Sequence, residues 1–121
     1  MQQVIEATGY HAHVYFDAAQ QAAARRLREA VAQRFAVELG RWREQAYGPH
    51  PVGAYQIAFA PALFGQIVPW LMLNREGLSV LLHPLTGDDV EDHSDFAMWL
   101  GAPLELNMDF LRQHGDNGRS G

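Results

Sequence analysis

The stretch from Tyr10 to Phe16, YHAHVYF, alternates without a break: Ala12, Val14 and Phe16 fall on one side, and His11, His13 and Tyr15 on the other. A period of two belongs to a β-strand, and a strand with one apolar face must lay that face on something. The following residues supply the cover. Asp17 stands where a helix N-cap belongs, and Gln20 three positions later completes a capping box. AAQQAAARRLREAVAQRF then carries Leu27, Ala30, Val31 and Phe35 at helical spacing, a stripe that can lie on the sheet.

The rest of the chain extends this pattern. Val37 to Arg43 (VELGRWR) reads as a second strand, ended by the turn formers GPHPVG from Gly48 to Gly53. AYQIAFA, Ala54 to Ala60, alternates as a third strand. Pro61 suits the first position of a helix through ALFGQIVPWLMLN, with Leu63, Phe64, Ile67 and Leu71 on one side. Pro69 is expected to kink or break that helix. A rival reading pairs Trp70 to Leu73 with Leu78 to Leu82 as a hairpin across NREG. LSVLLH, Leu78 to His83, is too apolar for an edge and predicts a strand packed on both faces. DDVEDHSDFAMWLG has an acidic first turn and a closing Gly101, the marks of a short helix. Leu104, Leu106 and Met108 predict a last edge strand, and HGDNGRSG a disordered tail.

The order β-α-β-β-α-β predicts an α+β ferredoxin-like sandwich, an antiparallel sheet with helices on one face. One such domain accounts for residues 1–112, with 113–121 as the tail. The other face of the sheet needs a partner subunit, a ligand or polar side chains to cover it, which predicts a homodimer.

Composition narrows the chemistry. A net charge of −5 repels phosphate backbones and anionic lipid, so neither nucleic acid nor membrane is an expected partner. All nine basic residues are arginine; their cluster in ARRLREA, Ala24 to Ala30, reads as a solvated helix face. The absence of cysteine removes disulfides, zinc–thiolate sites and cysteine nucleophiles together, so any metal must be held by nitrogen and oxygen. MQQVIEATG has neither a basic start nor an apolar run, and no apolar stretch is long enough to span a bilayer. A cytoplasmic protein is expected.

In the predicted topology the first and last core strands are antiparallel neighbours, which sets His11 beside His83. His11, His13 and His83 then converge on the face away from the helices, a facial set of imidazoles that leaves coordination positions open. The plainer alternative is a set of structural histidines, each satisfied by a hydrogen bond. His50, between two prolines in GPHP, is presented with little entropy to lose, yet its hairpin points away from His11 and His83. It would reach them only by folding over the open face or from a second subunit. Val90, His93, Ala97 and Leu100 share one face of the predicted helix, so His93 is either a buried structural residue or a proton carrier at a pocket wall. Asp88, Asp89, Glu91 and Asp92 could add a carboxylate ligand, but more simply complement a helix dipole. Arg41, Arg43 and Arg75 are candidates for a substrate carboxylate. The nucleophile elbow, the Gly-rich phosphate loop and HExxH are all missing from the sequence.

YHAHVYFD, GPHP, YQIAF, PWLMLNREGLSVLLHP, TGDDVEDHSDFAMWLG and PLEL occur here in one order. In these words the chain resembles the small DOPA 4,5-dioxygenase family of bacteria and fungi. The resemblance implies a metal-dependent extradiol dioxygenase that opens a catechol such as DOPA with O2. Carried onto this chain, it makes His11, His13 and His83, chosen among the histidines by the strand geometry, candidate ligands of Fe(II), with zinc, copper or nickel able to occupy the same imidazoles. His50, His93 and Tyr15 become candidate catalytic residues, and Tyr55, with Arg41 and Arg75, a candidate substrate contact. Two other readings compete: a binding module for a metal or aromatic ligand without redox chemistry, and a purely structural dimer.

Overall fold

The computed structural model describes residues 3–114. Its elements run β1 (Tyr10–Phe16), α1 (Gln21–Arg34), β2 (Glu38–Leu39), β3 (Gly53–Phe59), α2 (Phe64–Asn74), β4 (Val80–Pro84), α3 (Asp89–Asp92), β5 (Met98–Leu100) and α4 (Met108–His114). The strands form one antiparallel sheet in the order β2-β3-β1-β4-β5. The first four strands have the ferredoxin-like order, with β5 added beside β4. No helix among the described residues is long and apolar enough to cross a membrane.

The alternation in β1 divides the molecule. Ala12, Val14 and Phe16 join Ile57, Phe59, Val80 and Leu82 in the main core, under Leu27 and Val31 of α1 and Ile67 and Leu71 of α2. Asp17 makes the expected capping box with Gln20, opening a 3-10 turn that leads into α1. Pro69, however, does not end α2, which runs through to Asn74 and excludes the hairpin. Pro69 and Gly65, the residue whose carbonyl loses its intrahelical partner, are both exposed, so water takes over that carbonyl.

Three other expectations are corrected. The second strand shrinks to Glu38–Leu39, because Gly40 N bonds Gln56 O while Arg43 N bonds Ala54 O. Three steps on one chain span two on its partner, which is a β-bulge. It turns Trp42 onto Phe16 and Tyr55 on the helix side and sets Arg43 opposite Ala54. Beyond His83, the helix predicted to end at Gly101 stops after one turn, and Met98–Leu100 instead pairs with the edge of β4. Leu104 to Met108 forms no strand; Leu104 and Leu106 pack on the sheet, and α4 begins at Met108.

These last segments cover the sheet's second face. Tyr15, Ala54 and Leu81 form a smaller core there with Val52, Ala97, Trp99, Leu104 and Leu106. A naked face was the reason to expect a second subunit, and this chain supplies the cover itself. Gln113 and His114 are helical within α4, while the tail expected to be disordered lies beyond His114, outside the described residues.

Candidate metal centre

β1 carries His11, His13 and Tyr15 onto the second face, and the β1–β4 register sets His11 opposite His83. One nitrogen from each of His11, His13 and His83 lies within 4.8 Å of the others. His13 Nε2 and His83 Nε2 are 2.9 Å apart, near the ~3 Å kept by adjacent nitrogens around an ion at metal–nitrogen distances of about 2.0–2.1 Å. His83 Nδ1 donates to Pro84 O at 2.9 Å, which leaves the lone pair on Nε2. His11 Nδ1 is buried with no hydrogen-bond partner. Three neutral nitrogens from two adjacent strands suit a divalent transition metal, and the orphaned His11 nitrogen is a donor with no other use.

Two further imidazoles close over this group. Asp88 caps α3 by accepting from Glu91 N, and the Asp92 carboxylate accepts from Thr86 N at 3.0 Å, fixing the turn after β4. His93 ends α3 rather than lying midway along a helix. Its Nδ1–H donates to Asp89 O at 2.8 Å, and its Nε2 is buried without a partner. The ring sits 4.1 Å from His83 and 5.9 Å from His13.

His50 arrives by the fold-over route, within the same chain. Tyr47 and His50 exchange backbone hydrogen bonds, Asn107 N holds Pro49 O at 2.8 Å, and the loop lies down on the sheet. The His50 ring comes to 4.4 Å from His13, and its Nδ1 is 2.7 Å from Tyr15 Oη.

Burial dominates the electrostatics. It lowers the pKa of His11 to about 4, with His93 adding a smaller push, and that of His83 to about 2, again with His93 second. His13 is held far below the usual imidazole value by burial and then by His50, and His93 is lowered by burial against the opposing pull of its bond to Asp89 O. His11, His13, His83 and His93 are therefore neutral at pH 7 and offer lone pairs. Burial also raises Tyr15, so its hydroxyl stays protonated and able to donate to His50 Nδ1.

A cavity of about 170 Å³ opens beside His13 and His50, lined by Arg41, Arg43, Gln45, Tyr47 and Gln56 among others. Tyr55 is among the residues lining it, while its ring packs in the main core on the helix side and its hydroxyl donates to Ala24 O at 3.0 Å. Arg75 is corrected: its guanidinium donates to Leu78 O and lies against Gly101 at the far end of β4, away from the cavity. Reading Arg43 only as one of three arginines missed its placement by the bulge, whose signal is the Gly40 that precedes it.

The sequence model described as the Dopa 4,5-dioxygenase family matches residues 10–110. A DOPA 4,5-dioxygenase from Amanita muscaria is 38% identical over 108 residues, which cover 82% of this chain and 47% of that protein. An uncharacterized 21.2 kDa protein from Botryotinia fuckeliana is 35% identical over 99 residues, covering 74% of this chain and 54% of its own length. The chain thus spans about half the length of these curated relatives. A Nostoc punctiforme protein with a provisional dioxygenase assignment, solved by crystallography at 1.46 Å resolution, superposes with a TM-score of 0.90 at 57% identity. The match covers 93% of this chain and 98% of that one.

Proposed function

This chain belongs to the Dopa 4,5-dioxygenase family, and from that premise we propose that it is a cytoplasmic extradiol dioxygenase that opens a catechol beside its two hydroxyls. Both atoms of O2 enter the product. The observation that carries the reading is the convergence of His11, His13 and His83, with their nitrogens within 4.8 Å of one another, and His13 also lines the cavity. These three would hold a divalent ion, and Fe(II) is the ion that the family resemblance implies. Ferrous iron supplies, when bound, an electron path between a catechol ring and O2 that the two lack by themselves.

The chain's other groups handle protons and water. His93 Nε2 has a lone pair, a fixed tautomer and no partner, which supports a role in taking a proton from a catechol hydroxyl and returning it on ring opening. His50, oriented by Tyr15 and 4.4 Å from His13, would be a second hydrogen-bonding group for the ring or the reduced oxygen. Leu81 beneath, with Trp99 stacked on Tyr15, keeps water from the inner wall.

The test is to load the protein anaerobically with Fe(II), admit O2 and a panel of catechols, and follow oxygen uptake with the growth of a yellow ring-opened product. Stoichiometric metal binding with no oxygen uptake on any catechol would retire the enzyme in favour of a binding module.

A further inference from the structure

The cavity beside His13 and His50 has a one-sided charge. The protein carries 14 acidic and 9 basic residues, yet Arg41 and Arg43 line this cavity and no Asp or Glu among the described residues does. Glu44, adjacent in sequence, is turned to the other side of the sheet, where it accepts from Trp42 Nε1 at 3.3 Å and pairs with Arg25 at 3.7 Å. Neither lining arginine has a carboxylate within ion-pair distance among the described residues. The bulge at Gly40 to Arg43 sends Arg43 to the cavity side, and Tyr47 stacks under its guanidinium at 3.7 Å. A stacked guanidinium keeps its N–H edges outward, ready for a carboxylate fork.

We infer that this cavity selects catechols bearing a carboxylate side arm and lacking an α-ammonium group. The inference rests on the catechol reading of the site and adds a substrate class to it. Arg41 and Arg43 supply the cationic partners of the carboxylate. An ammonium beside that carboxylate would face two guanidiniums with no acid to receive it, and like charges so placed repel. Gln45 and Gln56 are the neutral polar groups left to meet the rest of the arm.

The probes are 3,4-dihydroxyphenylpropionate, DOPA and 4-methylcatechol, which differ in the arm alone. With Fe(II)-loaded enzyme, KM for the propionate is expected to be about ten- to hundredfold below that of the other two, the effect of one charge-assisted contact. Arg43→Gln and Arg41→Gln should each narrow the gap between the propionate and 4-methylcatechol. Calorimetric titration of the same three molecules into the protein gives a second readout. If no catechol is turned over, the ring-cleavage reading fails, but preferential binding of the propionate would still sustain the cavity's selectivity. Equal or tighter use or binding of DOPA overturns the inference, as does a gap that survives both substitutions.

Discussion

An imidazole can be a ligand, a base or a spacer, and the atoms around it decide which. His83 has its Nδ1–H engaged by the carbonyl of Pro84 and its Nε2 turned to His13, the arrangement in which a second partner fixes the tautomer for coordination. His93 is fixed the same way by Asp89 O. Because burial holds these rings neutral, their lone pairs are available across the physiological range. Replacing His83 by Gln should therefore abolish equimolar divalent-metal binding, lowering affinity by more than the about 10–100-fold typical of losing an outer partner. Metal analysis after dialysis, with circular dichroism to verify the fold, checks this. Unchanged metal content would remove His83 from the centre.

At the scale of elements, the irregular pieces position the site. The bulge between Gly40 and Arg43 aims an arginine, the GPHP loop lays His50 on the sheet, and one turn of α3 delivers His93. β5 is followed by Gly101, whose φ of 78° is left-handed and whose missing Cβ leaves room for the Arg75 guanidinium. Arg75 in turn donates to Leu78 O and ties the start of β4 to the end of β5. Gly101→Ala should cost roughly 1–2 kcal/mol, from backbone strain plus the displaced guanidinium. A lower urea midpoint at an unchanged slope is the expected signature. An unshifted midpoint would mean that Arg75 and the turn relax freely.

For the whole molecule, packing a neutral histidine cluster ties stability to pH. A group whose folded pKa is depressed contributes stability that is present above its unfolded value and lost as pH falls toward the folded one. For His11 the window runs from 6.5 down to about 4, and for His83 it extends to about 2. In this range the unfolded chain binds more protons, so unfolding is favoured as acid is added. The metal-free protein should lose stability steadily from pH 6.5 to 4, by up to about 1.4 kcal/mol per pH unit for each imidazole titrating only when unfolded. Urea midpoints in chelator at pH 7.5, 5.5 and 4.5 test the slope, and a flat profile would show the rings to be solvated.

Local chemistry alone was enough to reveal β1, its capping box, the stripes of α1 and α2, and the pairing that brings His11 to His83. Each depends on neighbours within a few residues or on the short list of ways to join such elements. The helix expected after Asp88 gave way to a strand because the open edge of β4 offers Met98–Leu100 a ladder that no sequence window contains. The approach of His50, the orphaned nitrogens of His11 and His93, and the side on which Arg43 emerges were likewise decided by tertiary contacts. Residues far apart in the chain had to cover the second face of the sheet before those side chains acquired neighbours. Periodicity says which face a residue takes; only packing says what it meets there.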